Sequence, residues 1–258
     1  MDIDLYRKIL AELKSKTGML ILWNQGEPFL HPVFYNMLEL AARRRFYTMT
    51  STNASLELDI ERIIRSGLNK IIISMDGIDR QSYDQYRING NYELVLSNLQ
   101  RLCSTKRKGK KSRLKIVWQF IAMAHNEHEI PRVRELARDF GVDALEIKTA
   151  QIYTNEDTSF LPEDEKYSRY KHKTTELKTL LLNRCRRLWT QPVINWDGEF
   201  AICCYDKDVE CKIGNIKDQS FSELWFGDRM QRMRSQILNN RKAFPICRNC
   251  GEGIVQRV

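Results

Sequence analysis

No stretch of this sequence stays apolar for the roughly 18 residues that a membrane-spanning helix needs, so no such span is expected. The amino terminus, Met1-Asp2-Ile3-Asp4, lacks a basic stretch followed by an apolar core. No secretory leader is therefore visible, and the cytoplasm is the expected compartment. No two cysteines are spaced Cys-x3-Cys. What is present is seven cysteines in 258 residues. Without a leader, that number argues against a disulfide framework and for metal or thiol chemistry. Lys and Arg total 42 against 33 acids, a net charge of +9, which permits attraction to phosphates or an anionic cofactor. The length suits one large α/β domain, or a medium domain and a small one.

The chain is organised around Leu20-Ile21-Leu22-Trp23-Asn24-Gln25-Gly26-Glu27-Pro28. An apolar run, read as a buried parallel strand, ends in a Gly-Glu-Pro turn. In α/β folds the carboxyl ends of the strands are where ligands sit. Gly26 there lets a ligand approach backbone carbonyls, and Glu27 can accept from a ligand ammonium.

Strand and helix alternate over the first 150 residues. A helix is expected over 2–16, with Leu5, Ile9 and Leu13 as its apolar face. Strands are expected over 19–23, 47–50, 70–75, 114–123 and 144–148. The intervening helices are 33–45, 56–66, 81–88, 92–102 and 127–140. This alternation predicts a parallel sheet with right-handed crossovers. Polar residues follow the strands, so one rim gathers Glu27, Ser51, Asn53, Ser74, Asp76 and Asn126.

The texture changes after Ala150. Residues 151–184 read as a polar connector with one helix over 164–182. A small module of 185–258 follows. It carries a hairpin over 193–202 turning at Asp197-Gly198, a helix over 221–238, and the knuckle Cys247-x2-Cys250. Two thiolates of a Cys-x2-Cys turn can reach one metal centre. The hairpin can bring Cys185 and Cys203 beside them. Four thiolates suit a structural zinc or a [4Fe–4S] cluster, and from spacing alone zinc is the commoner outcome. Cys204 and Cys211 are alternative ligands, although adjacent strand residues point to opposite faces, which separates Cys203 from Cys204. Cys103 reads as a core cysteine on the apolar face of a helix.

Together these pieces resemble the radical S-adenosylmethionine (SAM) enzymes. The resemblance rests on Gly26-Glu27-Pro28, Ser51-Thr52-Asn53, the run from Ser66 to Gly77 and Tyr86-Arg87. In the C-terminal part, Asp197-Gly198, Cys203-Cys204, Gly214-Asn215-Ile216 and Cys247-x2-Cys250 resemble the SPASM domain or its shorter twitch form. It covers nearly the whole chain and reverses the choice of zinc. The resemblance implies an α/β fold: a partial (β/α)6 TIM-like barrel missing its first strand, followed by a small cysteine-rich α+β SPASM/twitch domain. It implies a barrel over 1–150, a connector over 151–184 and an auxiliary [4Fe–4S] domain over 185–258, with Cys185, Cys203, Cys247 and Cys250 as ligands. Gly26 and Glu27 would bind the methionyl ammonium of SAM; Gln25 stands where the family has a first glycine. Ser51 and Asn53 would face the cofactor. Ser74 and Asp76 would lie near the ribose and substrate, and Arg87 would pair with the SAM carboxylate through its guanidinium fork.

The family's catalytic cluster needs a Cys-x3-Cys-x2-Cys loop, which this sequence lacks. The expectation is that the chain has lost an N-terminal segment and, as it stands, is inactive. With that segment restored, SAM and a second [4Fe–4S] cluster would make a 5′-deoxyadenosyl radical. That radical would abstract hydrogen from a peptide or sugar-like substrate, and a cellular electron donor would be needed. The competing class is a zinc- or cluster-binding protein that contacts nucleic acid, suggested by six basic residues in the eight from Lys106 to Arg113 and by Arg43-Arg44-Arg45. The first run lacks interleaved aromatics for stacking and reads as a solvated loop, so nucleic acid is not the expected partner.

Overall fold

The structure, a computed structural model, describes residues 1–109, 112–152 and 156–251. The chain forms two compact units, one of Thr17–Ser168 and one of Met1–Lys16 with Arg169–Val258. Sequence reasoning divides the chain at 150 and 184 instead and assigns the first helix to the N-terminal domain. No helix among the described residues is long and apolar enough to cross a membrane.

Helix α1 (Ile3–Leu13) belongs to the second of these units. Asp2 caps it, accepting from the N–H groups of Asp4 and Leu5 at 3.0 and 2.9 Å. Its buried stripe of Leu5, Ile9, Leu10 and Leu13 has the spacing of one helix face.

The larger unit runs β1 (Met19–Ile21), α2 (Phe34–Arg43), β2 (Tyr47–Thr52), α3 (Ile60–Arg65) and β3 (Lys70–Ser74). It continues with α4 (Arg80–Asp84), α5 (Tyr92–Lys108), β4 (Lys115–Ala122), α6 (Ile130–Phe140) and β5 (Ala144–Thr149). The strands lie side by side in chain order, every neighbouring pair parallel. Such an order, without reversal, is that of a barrel wall rather than a doubly wound sheet.

The sheet has two unlike faces. On one, Thr48, Thr50, Ile71, Ile73, Trp118, Phe120 and Ala122 are wholly buried. On the other, register aligns Met19 with Tyr47, Ile21 with Met49, Ser51 with Ile72, Ser74 with Gln119, and Gln119 with Glu146. Met19, Ile21 and Tyr47 on this face are 45%, 41% and 40% exposed. This corrects the reading of β1 as a buried strand: only one face of the sheet is fully covered. The strand is also shorter than 19–23.

The smaller unit continues with α7 (Arg187–Thr190) and a three-stranded antiparallel sheet of β6 (Val193–Ile194), β7 (Glu199–Ala201) and β8 (Gly214–Asn215). It closes with α8 (Phe221–Phe226), α9 (Asp228–Asn240) and α10 (Pro245–Arg248). Phe200, Phe221 and Trp225 form an aromatic core around the sheet, with ring centroids 5.9–6.2 Å apart.

Two helix expectations are corrected. Residues 164–182 do not form a helix: a single 3-10 turn at Glu165–Tyr167 is followed by an antiparallel bridge between Tyr170 and Leu177. Lys173, with φ of 51°, turns the chain between the bridged residues, and β-branched Thr174 and Thr175 weaken helix propensity there. The single helix over 221–238 is two helices broken at Gly227, whose ψ of 167° is extended.

Candidate functional site

The rim of the parallel sheet is tied together by short polar contacts. Gly26 has φ of +73°, a left-handed conformation that favours glycine, and open space surrounds it. Glu27 spans two segments: Oε1 accepts from the Phe29 N–H at 3.1 Å and Oε2 from the Asn53 N–H at 2.8 Å. Its carboxylate thus joins the turn after β1 to the end of β2. Asn53 accepts in turn from the Ser55 N–H through its side chain at 2.9 Å. The hydroxyls of Ser51 and Ser74, on adjacent strands, lie 3.4 Å apart. Gly26, Glu27, Ser51, Asn53 and Ser74 therefore stand along the carboxyl ends of β1, β2 and β3.

Asp76 and Arg87 pair with each other. Asp76 is wholly buried. Its Oδ2 takes Arg87 Nε at 2.7 Å and Nη2 at 2.5 Å, and its Oδ1 takes the Ile121 N–H at 2.6 Å. Burial pushes the Asp76 carboxyl up, while Arg87 and the Ile121 N–H pull it down. Burial also opposes the Arg87 charge, but Asp76 outweighs it and holds the guanidinium above its ordinary range. The side edge of the Arg87 fork is thus occupied by Asp76, and only the Nη1 end is left to face a ligand carboxylate. Asn126 is buried too, donating to the carbonyls of Asp76 and Ile121 at 3.0 and 3.1 Å. It braces the fold rather than lining an open rim.

Sequence reasoning missed the polar groups on the open face of the sheet. Lys70 and Lys148 hold Glu146 between them at 2.9 and 3.0 Å. Burial pushes the Glu146 carboxyl up, but the two lysines outweigh it and keep it below the usual range. The alternation of Glu146 and Lys148 with Ile147 in β5 carries this signal.

The cysteines gather in the smaller unit. Cys185, Cys203, Cys247 and Cys250 line one small cavity, walled by Leu188, Ile202, Ile237 and Ile246 and by the guanidinium-bearing Arg187 and Arg241. Cys185 precedes α7, Cys203 follows β7, and the last two flank the end of α10. Cys204 does not line the cavity; its Sγ meets Arg187 Nη1 at 3.2 Å. Cys211 also lies outside it, its N–H held by the buried Asp206 carboxylate at 3.2 Å. Cys103 is 1% exposed in the core of the larger unit.

Burial pushes the Cys203 thiol up to about 12 and Cys247 up to about 11, with Arg241 pulling the latter back down. Such thiols lose their protons when a metal takes the place of the proton. Among the described residues no three of His, Cys, Asp or Glu converge closely enough to hold a single metal ion. One zinc draws four thiolates to about 2.3 Å from one point. A [4Fe–4S] cluster instead takes one thiolate at each of four separated irons. Four thiols lining one cavity suit either group by number, and the cationic groups in its wall suit the net-anionic one.

Residues 185–251 match the SPASM family, described as an iron–sulfur cluster-binding domain. The tungsten-containing aldehyde ferredoxin oxidoreductase cofactor-modifying protein of Pyrococcus furiosus is 22% identical over 97% of this chain and 79% of its own. The crystal structure of Streptococcus suis SuiB bound to S-adenosylmethionine superposes with a TM-score of 0.67 at 16% identity, covering 89% of this chain and 59% of SuiB. Native anSMEcpe with bound AdoMet and Kp18Cys peptide gives 0.62 at 15% identity, covering 98% and 82%. With this fold and a match to the SPASM family over residues 185–251, the chain is similar to the radical SAM/SPASM proteins.

Proposed function

We propose that Cys185, Cys203, Cys247 and Cys250 hold an auxiliary [4Fe–4S] cluster, and that the rim of Gly26, Glu27, Ser51, Asn53 and Ser74 binds SAM in a radical modifying enzyme of the cytoplasm. The observation that carries the reading is the single cavity lined by the four cysteines. Apolar walls limit water there, and Arg187 and Arg241 supply positive charge beside the thiolates. At the rim, Gly26 leaves backbone open to a ligand, Glu27 supplies a carboxylate near an incoming ammonium, and the Ser51 and Ser74 hydroxyls can meet a polar cofactor edge. Asp76 acts through Arg87, fixing its guanidinium so that the Nη1 end meets the SAM carboxylate. When bound, SAM and a second cluster, whose cysteine loop this sequence lacks, supply the hydrogen-abstracting chemistry for which the auxiliary cluster is an electron partner. The open face, with Gln119 and the Lys70–Glu146–Lys148 trio, suits a polar substrate: a peptide, the class bound by anSMEcpe, or a sugar-like molecule. A cellular reductant completes the requirement.

The test is anaerobic reconstitution with iron and sulfide. Replacing Cys185, Cys203, Cys247 or Cys250 by Ala is expected to lower both iron and labile sulfide, while Cys103→Ala leaves them unchanged. Undiminished iron in Cys185→Ala, or a colourless zinc protein, would overturn the ligand assignment.

A further inference from the structure

The guanidinium of Arg241 is almost wholly enclosed, at 1% exposure, in the wall of the cysteine cavity. A buried charge is costly unless its surroundings are arranged for it. Here the arrangement joins the segments that carry the cysteines. Nη1 donates to the Arg184 carbonyl at 2.7 Å, the peptide that leads into Cys185. Nη2 donates to the Cys250 carbonyl at 2.9 Å. The Arg241 N–H itself donates to Asn183 Oδ1 at 3.0 Å, and Asn183 Nδ2 donates to the Asn239 carbonyl at 2.7 Å. One side chain thus fixes the segment before Cys185, the end of the Cys247–Cys250 knuckle and the end of α9. Its side chain also lines the cavity shared with Cys247.

We propose that Arg241 is the positioning residue of this cavity, with two linked effects: its fork frames the backbones of Cys185 and Cys250, and its fixed charge raises the reduction potential of the cluster they hold. The proposal rests on those cysteines holding a [4Fe–4S] cluster. The physical reason is charge balance. Four thiolates leave an oxidised cluster net negative, and one more electron makes it more so. A positive charge held nearby therefore stabilises the reduced form more than the oxidised one, and cluster potential follows local charge, hydrogen bonding and exposure. Arg suits the place better than Lys, because a planar fork can satisfy two carbonyls while its charge stays delocalised. Arg187, in the same wall, is engaged with Cys204 at its Nη1.

The test compares the wild-type chain with Arg241→Met and Arg241→Lys after anaerobic reconstitution. Iron and labile sulfide per chain measure loading, and a redox titration followed by electron paramagnetic resonance measures the potential. The expected result is a lower potential in Arg241→Met at equal loading, with Arg241→Lys restoring most of the shift. Should Arg241→Met fail to load, recovery of loading and near-wild-type potential in Arg241→Lys supports the charge. Equal failure of both variants, or a wild-type potential in a loaded Arg241→Met, overturns the proposal. A wild-type chain that takes up no four-iron cluster refutes the ligand assignment itself and this proposal with it.

Discussion

Arg87 closes on Asp76 inside the protein, Nη2 and Nε meeting one carboxylate oxygen at 2.5 and 2.7 Å while the Ile121 N–H takes the other at 2.6 Å. The pair links the end of β3 to β4 and to the chain following α4, so its first role is structural. Breaking a buried pair from one side leaves a charge without its partner and costs about 3–5 kcal/mol. Arg87→Met is therefore expected to destabilise by an amount of that order, and the double variant Arg87→Met with Asp76→Asn by less. Urea unfolding of the three chains checks this. A double variant weaker than Arg87→Met would show that Asp76 has another cationic partner.

Gly227 separates α8 from α9. A Cβ built there would lie 2.1 Å from the Glu223 carbonyl oxygen, a backbone atom that cannot swing away. The residue's φ is ordinary, so the restriction is close approach and not handedness. Gly227→Ala is expected to cost about 1–3 kcal/mol, as overpacking does. Gly18→Ala, with nothing within 4 Å, is the control for the glycine-to-alanine change itself. Equal melting temperatures for the two variants would contradict the steric account.

These two places show what the sequence made legible and what it did not. The alternation of strands with amphipathic helices marked every strand of the parallel sheet, because each strand must be apolar where helices cover it. The hairpin turning at Asp197-Gly198 and the four cysteines around one cavity were legible from turn chemistry and ligand spacing. The break at Gly227 was not, since an isolated glycine in a periodic stretch fits a continuous helix until the Glu223 carbonyl is located. The partner of Arg87 was equally hidden: an arginine that ends up paired inside reads like one on the surface. Nor does periodicity reveal that one face of β1 lies open. Lys106, within the basic run, is engaged with Asp143 in the fold, while Lys110 and Lys111 lie outside the described residues.

His125 introduces a pH dependence of definite sign. Burial lowers its pKa below the ordinary 6.5, although Asp76 pulls the other way. A histidine depressed in the folded state is protonated more readily in the unfolded chain. Its contribution to stability is therefore present above about pH 6.5 and lost as pH falls through the folded value. His125→Gln, which cannot titrate, is expected to flatten the decline of the urea midpoint between about pH 7 and pH 5. Asp143, which the Ile116 N–H and Lys106 hold below its usual range against burial, and Glu146, which Lys70 and Lys148 hold below its own, lose their contribution at lower pH, below about 4.5. A midpoint falling as steeply in His125→Gln as in the wild type would place the dependence elsewhere.

The turn after β1 separates two kinds of cost, those of the fold and those of the ligand. Glu27 accepts two backbone N–H groups with its two oxygens. Gln at that position keeps one acceptor and sets an amide N–H₂ against the other donor, so Glu27→Gln is expected to lose about 1–3 kcal/mol of stability. Gly26→Ala meets no neighbour and is expected to cost about 1–2 kcal/mol through its left-handed φ alone. At a temperature where both variants stay folded, stability no longer distinguishes them from the wild type, and titration with SAM reads the rim directly. Weaker SAM binding is expected in Glu27→Gln because the carboxylate charge is gone, and in Gly26→Ala because the new methyl stands where the ligand approaches the backbone. Wild-type affinity in both folded variants would remove SAM from this turn and leave Glu27 as a brace between β1 and β2.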